Sequence, residues 1–182
     1  MAMTCWVALL RGINVGGHHI LPMQALRSLL EDLGSRQVAT YIQSGNAVFC
    51  HDESDADELS KIISDAIDRQ FGFRPQVLLL TQAQLTRAVV ANPYAGTGHE
   101  PKTMHLSFLA EKANTPDLDG LEALRSDTEA FTLADDVFYL YAPDGIGRSK
   151  LAAKVEKLLG VPITARNWRT VNKVLDMARA CR

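Results

Sequence analysis

The chain has 182 residues, of which 47% are hydrophobic and 22% are charged, and its formal net charge at pH 7 is -2. This composition is typical of a folded globular protein of one or two small domains rather than a disordered chain. No apolar run approaches the roughly 18 residues of a membrane helix, so we expect no membrane partner. The near-neutral charge also argues against a nucleic-acid-binding protein.

The first half of the chain predicts alternating strands and helices. Capping residues, turn residues and apolar spacing predict strands over 4–11, 37–43, 47–50 and 75–80, and helices over 22–33, 54–70 and 81–91. The second helix is expected to begin at a cap formed by Ser54 and Asp57, and the third at a capping box of Thr81 and Gln84. Strand 4–11 is apolar on both alternating faces, so we expect it to be central and covered on both sides.

The second half repeats this order after a segment rich in proline and glycine, residues 92–102, which is the predicted linker. Strands are predicted over 103–109, 130–134, 137–141 and 162–165, and helices over 117–125, 149–159 and 168–180. We therefore predict an α+β fold of two tandem ferredoxin-like subdomains, residues 1–91 and 103–182. Each would be a βαββαβ unit with an antiparallel sheet and one extra helix.

Two polar, glycine-bearing loops stand out, and each follows an apolar strand. One is residues 11–17 and the other is the turn 44–46. In a ferredoxin-like sheet the strand order is four-one-three-two, which places both loops at the same sheet edge, where one small ligand could reach both. Glycine there favours sharp turning or a close approach to a ligand. The candidate ligand-binding residues are Arg11, Asn14, Gly16, Gly17, Ser44 and Asn46.

The same topology brings two loops of the second half to one edge. Residues 166–168 follow the fourth strand, and residues 145–150 follow the third. Glycine-linked cations at such a place favour phosphate or carboxylate. Arg166, Asn167 and Trp168 join the candidate site if the two halves bring their edges together. A weaker second cluster consists of Arg148, Lys150 and Arg169.

Structural interpretations of the same residues remain open. In one alternative, Gly45 serves the hairpin turn alone, and Ser44 and Asn46 stabilise that turn by local hydrogen bonds. Ser149 and Asn167 would then be simple helix N-caps, and Arg11 would satisfy loop carbonyls. The spacing at 145–150 is not that of a phosphate-binding Walker loop. Ser44 has no identifiable base, and the histidines lack metal-ligand spacing. No catalytic residue, metal or cofactor is identified.

The three cysteines, Cys5, Cys50 and Cys181, are odd in number and widely spaced. They form no Cys-x-x-Cys motif and no evident disulfide framework. Reduced thiols of this kind are typical of a cytoplasmic protein, which is the predicted location.

Three motifs carry a resemblance to a known family: residues 10–17 (LRGINVGG), 40–46 (TYIQSGN) and 164–171 (TARNWRTV). Together they resemble the bacterial domain-of-unknown-function family numbered 1697, and the resemblance extends over essentially the whole chain. It implies paired ferredoxin-like subdomains. It implies no activity and no assigned catalytic residues.

Two functions from different classes therefore compete. The first is a site for a small anionic ligand that carries phosphate or carboxylate, with nucleotide-like compounds among the candidates. The second is a protein-interaction or self-association module whose polar loops are structural. Exposed apolar residues would favour the second, and the sequence leaves the oligomeric state and any enzymatic activity open.

Overall fold

The structure is a computed structural model, and it describes residues 3–181. The fold is α+β, with two four-stranded antiparallel sheets. The chain divides into two compact units. Unit 1 comprises the chain up to Arg87 together with the segment from Lys173 onward, and unit 2 comprises Ala88–Asn172. The separate boundaries predicted at residues 92–102 stay a prediction.

Unit 1 is built on the strand order β2-β3-β1-β4. Its strands are β1 (Thr4–Arg11), β2 (Arg36–Tyr41), β3 (Asn46–His51) and β4 (Gln76–Thr81). Its helices are α1 (Met23–Asp32), α2 (Ala56–Phe71) and most of α3 (Gln82–Val90). The last helix, α6 (Trp168–Ala180), enters unit 1 at Lys173.

Strand β1 is buried on both faces, which confirms the prediction for this strand. Trp6, Ala8 and Leu10 pack into a core with apolar residues of α1 and α2. Val7, which points to the opposite face, is completely buried. On that second face the Cys5 thiol donates a hydrogen bond to the carbonyl of Ala178 in α6, at 3.6 Å.

Unit 2 repeats the arrangement with the strand order β6-β7-β5-β8. Its strands are β5 (Met104–Leu109), β6 (Ala130–Ala134), β7 (Val137–Tyr141) and β8 (Ile163–Asn167). Two short helices, α4 (Leu118–Leu124) and α5 (Val155–Leu159), pack an apolar cluster against this sheet.

Two predicted helix starts differ from the structure. Asp55, not Ser54, caps α2, because its carboxylate accepts hydrogen bonds from the N–H groups of Asp57 at 2.9 Å and Glu58 at 3.0 Å. A helix from residue 149 to 159 is also wrong. Residues 152–154 form a tight 3-10 turn, and the α-helix begins only at Val155.

The capping box predicted for α3 is confirmed. The backbone N–H of Thr81 donates to the Gln84 side-chain oxygen at 2.7 Å, and the N–H of Gln84 donates to Thr81 Oγ1 at 3.2 Å. These reciprocal bonds satisfy two donors that a helix start leaves without a partner.

Tyr139 makes the stability of unit 2 sensitive to alkaline pH. Its hydroxyl is buried and donates to the Ala88 carbonyl at 2.8 Å, and burial raises the pKa of Tyr139 from 10.0 to about 12. The unfolded chain releases this proton at lower pH than the folded chain. The stabilisation is therefore complete below about pH 10 and is lost as pH rises towards 12.

We expect Tyr139→Phe to flatten the fall in melting temperature across this window, while costing about 1 kcal/mol at neutral pH. A parent and variant with parallel pH profiles would contradict this.

Candidate functional site

The two glycine loops of unit 1 lie against each other, as predicted. We call residues 11–21 together with residues 42–46 the loop cluster. The backbone N–H of Leu10 donates to the Gly45 carbonyl at 2.8 Å, which joins the end of β1 to the turn between β2 and β3.

Asn14 holds the loop cluster together. Its side-chain amide donates to the carbonyls of Leu21 and Gln43, each at 2.9 Å, and its side-chain oxygen accepts from the Leu21 N–H at 2.8 Å. Its backbone has a φ of +53°, a region that asparagine tolerates better than most residues. Both polar ends of this side chain are therefore used within the protein.

The turn at residues 44–46 is packed inward. Asn46 has no exposed surface, and its amide donates to the Tyr41 carbonyl at 2.9 Å and to Ser44 Oγ at 3.0 Å. Gly45 has a φ of +85°, and an added Cβ would lie 2.7 Å from Ile13 Cδ1. Glycine is therefore required at residue 45 both by backbone conformation and by close packing.

Arg11, Gly16 and Gly17 lie on the surface of the loop cluster. The Arg11 guanidinium is 3.4 Å from the side-chain oxygen of Gln76, its partner across the strands. Gly16 and Gly17 have φ values of +59° and +77°, in the left-handed region that favours glycine, but no atom outside their chain neighbours lies closer than 4.0 Å to an added Cβ at either. These two glycines serve the turn and not a tight packing contact.

A concave cleft of about 490 Å³ opens on the surface of unit 2. It lies between the C-terminal end of α4, the turn that follows this helix, and the loop that follows β7. The charged and hydroxyl groups that line it include Arg125, Ser126, Glu129, Asp144, Arg148 and Lys150.

The cations of this cleft differ in how far they are already engaged. Arg125 is bound to the Glu122 carboxylate at 2.7 Å and donates to the carbonyls of Ser126 and Glu129, each at 3.0 Å. Arg148 and Lys150 are exposed, and within residues 3–181 neither side chain is paired with a carboxylate. Arg148 and Lys150 can therefore contact a ligand without breaking an existing ion pair, whereas Arg125 cannot.

The acidic residues of the cleft are held by short local bonds. Glu129 accepts a hydrogen bond from the Ser126 N–H at 3.0 Å, and Asp144 accepts one from the Thr128 hydroxyl at 2.6 Å. Sequence reasoning missed Arg125, Ser126 and Glu129 as cleft residues. A sequence signal on the other side of the cleft is Asp144-Gly145, a pair that is typical of a turn.

The remaining predicted residues lie at the end of β8. Asn167 caps α6 by accepting from the Thr170 N–H at 3.0 Å, which confirms the capping interpretation. Arg166 donates to the Ala165 carbonyl at 2.9 Å, and burial lowers its pKa to about 10, so it stays charged at neutral pH. Trp168 is only partly buried, and Arg169 is exposed.

Two kinds of feature, a metal-ligand cluster and a membrane-spanning helix, do not occur among residues 3–181. Among residues 3–181, no group of three or more His, Cys, Asp or Glu side chains is arranged to hold a metal ion. Over the same residues, no helix is both long and apolar enough to cross a bilayer. His105 is buried, and desolvation lowers its pKa, so it is a neutral side chain of the sheet.

A model of a protein family of unknown function, DUF1697, matches residues 3–139. The chain belongs to this family. The DUF1697 match includes the loop cluster of unit 1 and part of the cleft of unit 2, up to Glu129. No curated protein sequence is significantly similar to the chain.

A solved structure is similar over nearly the whole DUF1697 chain described here. It is that of the conserved bacterial protein SP0830 from Streptococcus pneumoniae, with 27% sequence identity and a TM-score of 0.69. The similarity covers 97% of this chain and 99% of that one. The fold described above therefore resembles that of a conserved bacterial protein over nearly the whole of both chains.

Proposed function

We propose that the protein binds a small anionic ligand, bearing phosphate or carboxylate, in the cleft of unit 2. The observation that carries this proposal is the pair of exposed cations, Arg148 and Lys150, on one loop of a cleft of about 490 Å³. A guanidinium can grip a phosphate or carboxylate through two parallel hydrogen bonds, and an ammonium adds a second charge. The volume falls in the ordinary range for small-molecule sites.

The cleft also favours a ligand that offers hydrogen-bond donors. Glu129 and Asp144 line it beside the two cations, and each carboxylate has acceptor capacity beyond its one local bond. A bare anion gains from the cations but meets these carboxylates. A phosphorylated compound with hydroxyl or amino groups, such as a nucleotide, satisfies both sets.

Thermal unfolding with and without inorganic phosphate tests the proposal. Phosphate at ten times its dissociation constant should stabilise the parent by about 1.4 kcal/mol. We expect Arg148→Ala and Lys150→Ala each to remove most of this increment, because each deletes one contact to the anion. Lys154→Ala is the matched control, because it removes an exposed lysine that does not line the cleft.

Chloride at equal ionic strength separates specific binding from general screening. If all three variants lose the same amount of the stabilisation by phosphate, the cleft is not the binding site. If phosphate and nucleotides leave the parent unchanged, an interaction module becomes the better function.

One observation favours that second function. Val15, Ile20 and Ile42 are 68%, 54% and 48% exposed in the loop cluster. Val15 follows Asn14 in the sequence. Ile20 and Ile42 directly precede Leu21 and Gln43, the two residues whose carbonyls accept hydrogen bonds from the Asn14 amide. Ile42 also has a φ of +49°, which is strained for a β-branched residue. In this function the polar loops are structural, and the apolar tips contact a protein.

Four further assignments belong with the proposal. The surface of the loop cluster around Arg11 and Gly16 is retained as a secondary ligand surface in unit 1. Residues 166–169 are retained as a separate candidate in unit 2. Each unit is assigned to the ferredoxin-like class, which its strand order and antiparallel pairing support. A cytoplasmic location is supported by three cysteines that are free thiols.

A further inference from the structure

The three cysteines of the chain, far apart in sequence, meet at one place in unit 1. Cys5 of β1 and Cys50 of β3 are direct partners across the strands, so their side chains share one face of the sheet. Cys181 follows α6 and places its Sγ 2.6 Å from that of Cys50. Cys5 lies close enough to both Cys50 and Cys181 to influence the pKa of their thiols.

The positions of the thiols single out one pair. Cys5 donates to the Ala178 carbonyl at 3.6 Å, whereas Cys50 and Cys181 face each other. Their separation exceeds a disulfide bond of about 2.05 Å by only about half an ångström. Forming the bond therefore requires little movement of β3 or of the residues after α6.

We propose that Cys50 and Cys181 form a reversible disulfide bond, with a low-molecular-weight disulfide such as oxidised glutathione as the oxidant. Cys5 stays a thiol. The bond ties β3 to the segment that follows α6. Cys50 and Cys181 are then a site of oxidative modification in unit 1, distinct from the proposed ligand site in unit 2.

The exposure of the two thiols sets the order of the exchange. Cys181 is partly exposed and Cys50 is buried, so the Cys181 thiolate attacks a sulfur of the small disulfide first. This forms a mixed disulfide and releases one small thiolate. The Cys50 thiolate then attacks the Cys181 sulfur, and the second small thiolate leaves. The protein loses two electrons to the oxidant, and the two cysteine protons end on the two released thiols.

Burial controls the rate and the persistence of this bond. Desolvation raises the pKa of Cys50 to about 11 and also raises the pKa of Cys181. Few thiolates exist at neutral pH, so oxidation should be slow there and faster at mildly alkaline pH. A thiol with a raised pKa is a poor leaving group and Cys50 is buried, so an external thiolate should cleave the bond slowly once it has formed.

The experiment treats the reduced full-length protein with oxidised glutathione at mildly alkaline pH. Free thiols are then counted by alkylation under denaturing conditions, and the cross-link is mapped by mass spectrometry. The expected result is a fall from three free thiols to one, with Cys50 joined to Cys181 and Cys5 alkylated. The melting temperature should rise, because the bond closes a loop across a sequence separation of 131 residues. Dithiothreitol should restore three thiols and the original melting temperature.

Variants assign the partners. Cys5→Ser is the matched control and should form the bond and gain melting temperature like the parent. Cys181→Ser should do neither, and it tests the pair even if Cys50→Ser, at a buried position, fails to fold. A cross-link between Cys5 and Cys50, a bond between two molecules, or three stably glutathionylated thiols would overturn the proposal.

Discussion

Gly45→Ala is expected to destabilise unit 1 by about 2 to 5 kcal/mol, because it combines overpacking with an unfavourable backbone conformation. The new methyl group would lie 2.7 Å from Ile13 Cδ1 and 2.8 Å from Leu10 Cβ. Neither neighbour can yield easily, since Leu10 and Ile13 are buried at 1% and 2% exposure. The free energy of unfolding from urea titration measures the loss.

Gly17→Ala is the matched control for this variant. Gly17 has a similar φ of +77°, but nothing lies within 4 Å of its added Cβ. Only the backbone cost of about 1 to 2 kcal/mol should remain. Equal losses in the two variants would show that the turn relaxes around residue 45, and that the contact with Ile13 does not restrict it.

The elements of the fold could be predicted because apolar spacing and capping residues act locally. The continuous apolar run of β1 predicted its burial on both faces, and the Thr81 and Gln84 pair predicted the start of α3. Local signals failed where neighbouring residues compete for one role. Ser54 and Asp55 both suit an N-cap, and in the structure the Asp55 carboxylate takes this role.

The site was harder to predict because glycine and asparagine serve turns and ligands alike. The loop cluster was predicted from the sequence, yet the hydrogen bond from the Asn14 amide to the Gln43 carbonyl joins residues 29 positions apart, which folding brings together. The meeting of Cys50 and Cys181, at a sequence separation of 131 residues, has no local signal at all. The cleft of unit 2 likewise depends on the approach of a helix end to a distant loop.

Asn14→Ala is expected to cost about 2 to 4 kcal/mol, because it removes three hydrogen bonds worth roughly 0.5 to 1.5 kcal/mol each. It also leaves an alanine at a φ of +53°, where asparagine is better tolerated. Urea titration gives the loss. Amide hydrogen exchange gives a local measure, because the Leu21 N–H loses its acceptor, Asn14 Oδ1, and should exchange faster.

Asn14→Gly separates the two contributions. Glycine accepts the positive φ without strain, so its loss of stability reports the hydrogen bonds alone, and alanine should be worse than glycine by about 1 kcal/mol. A ligand-binding Asn14 would behave differently: the glycine variant would keep the stability of the parent, the alanine variant would lose only the backbone cost, and both would lose the response to phosphate. The bonds to Leu21 and Gln43 give Asn14 a structural role, because one side chain holds three segments of the chain together. Val15, Ile20 and Ile42 are exposed apolar residues on these same segments. Loss of the Asn14 hydrogen bonds should therefore increase the mobility of Val15, Ile20 and Ile42 together with that of the loops. It should leave the cleft of unit 2 and its response to phosphate unchanged.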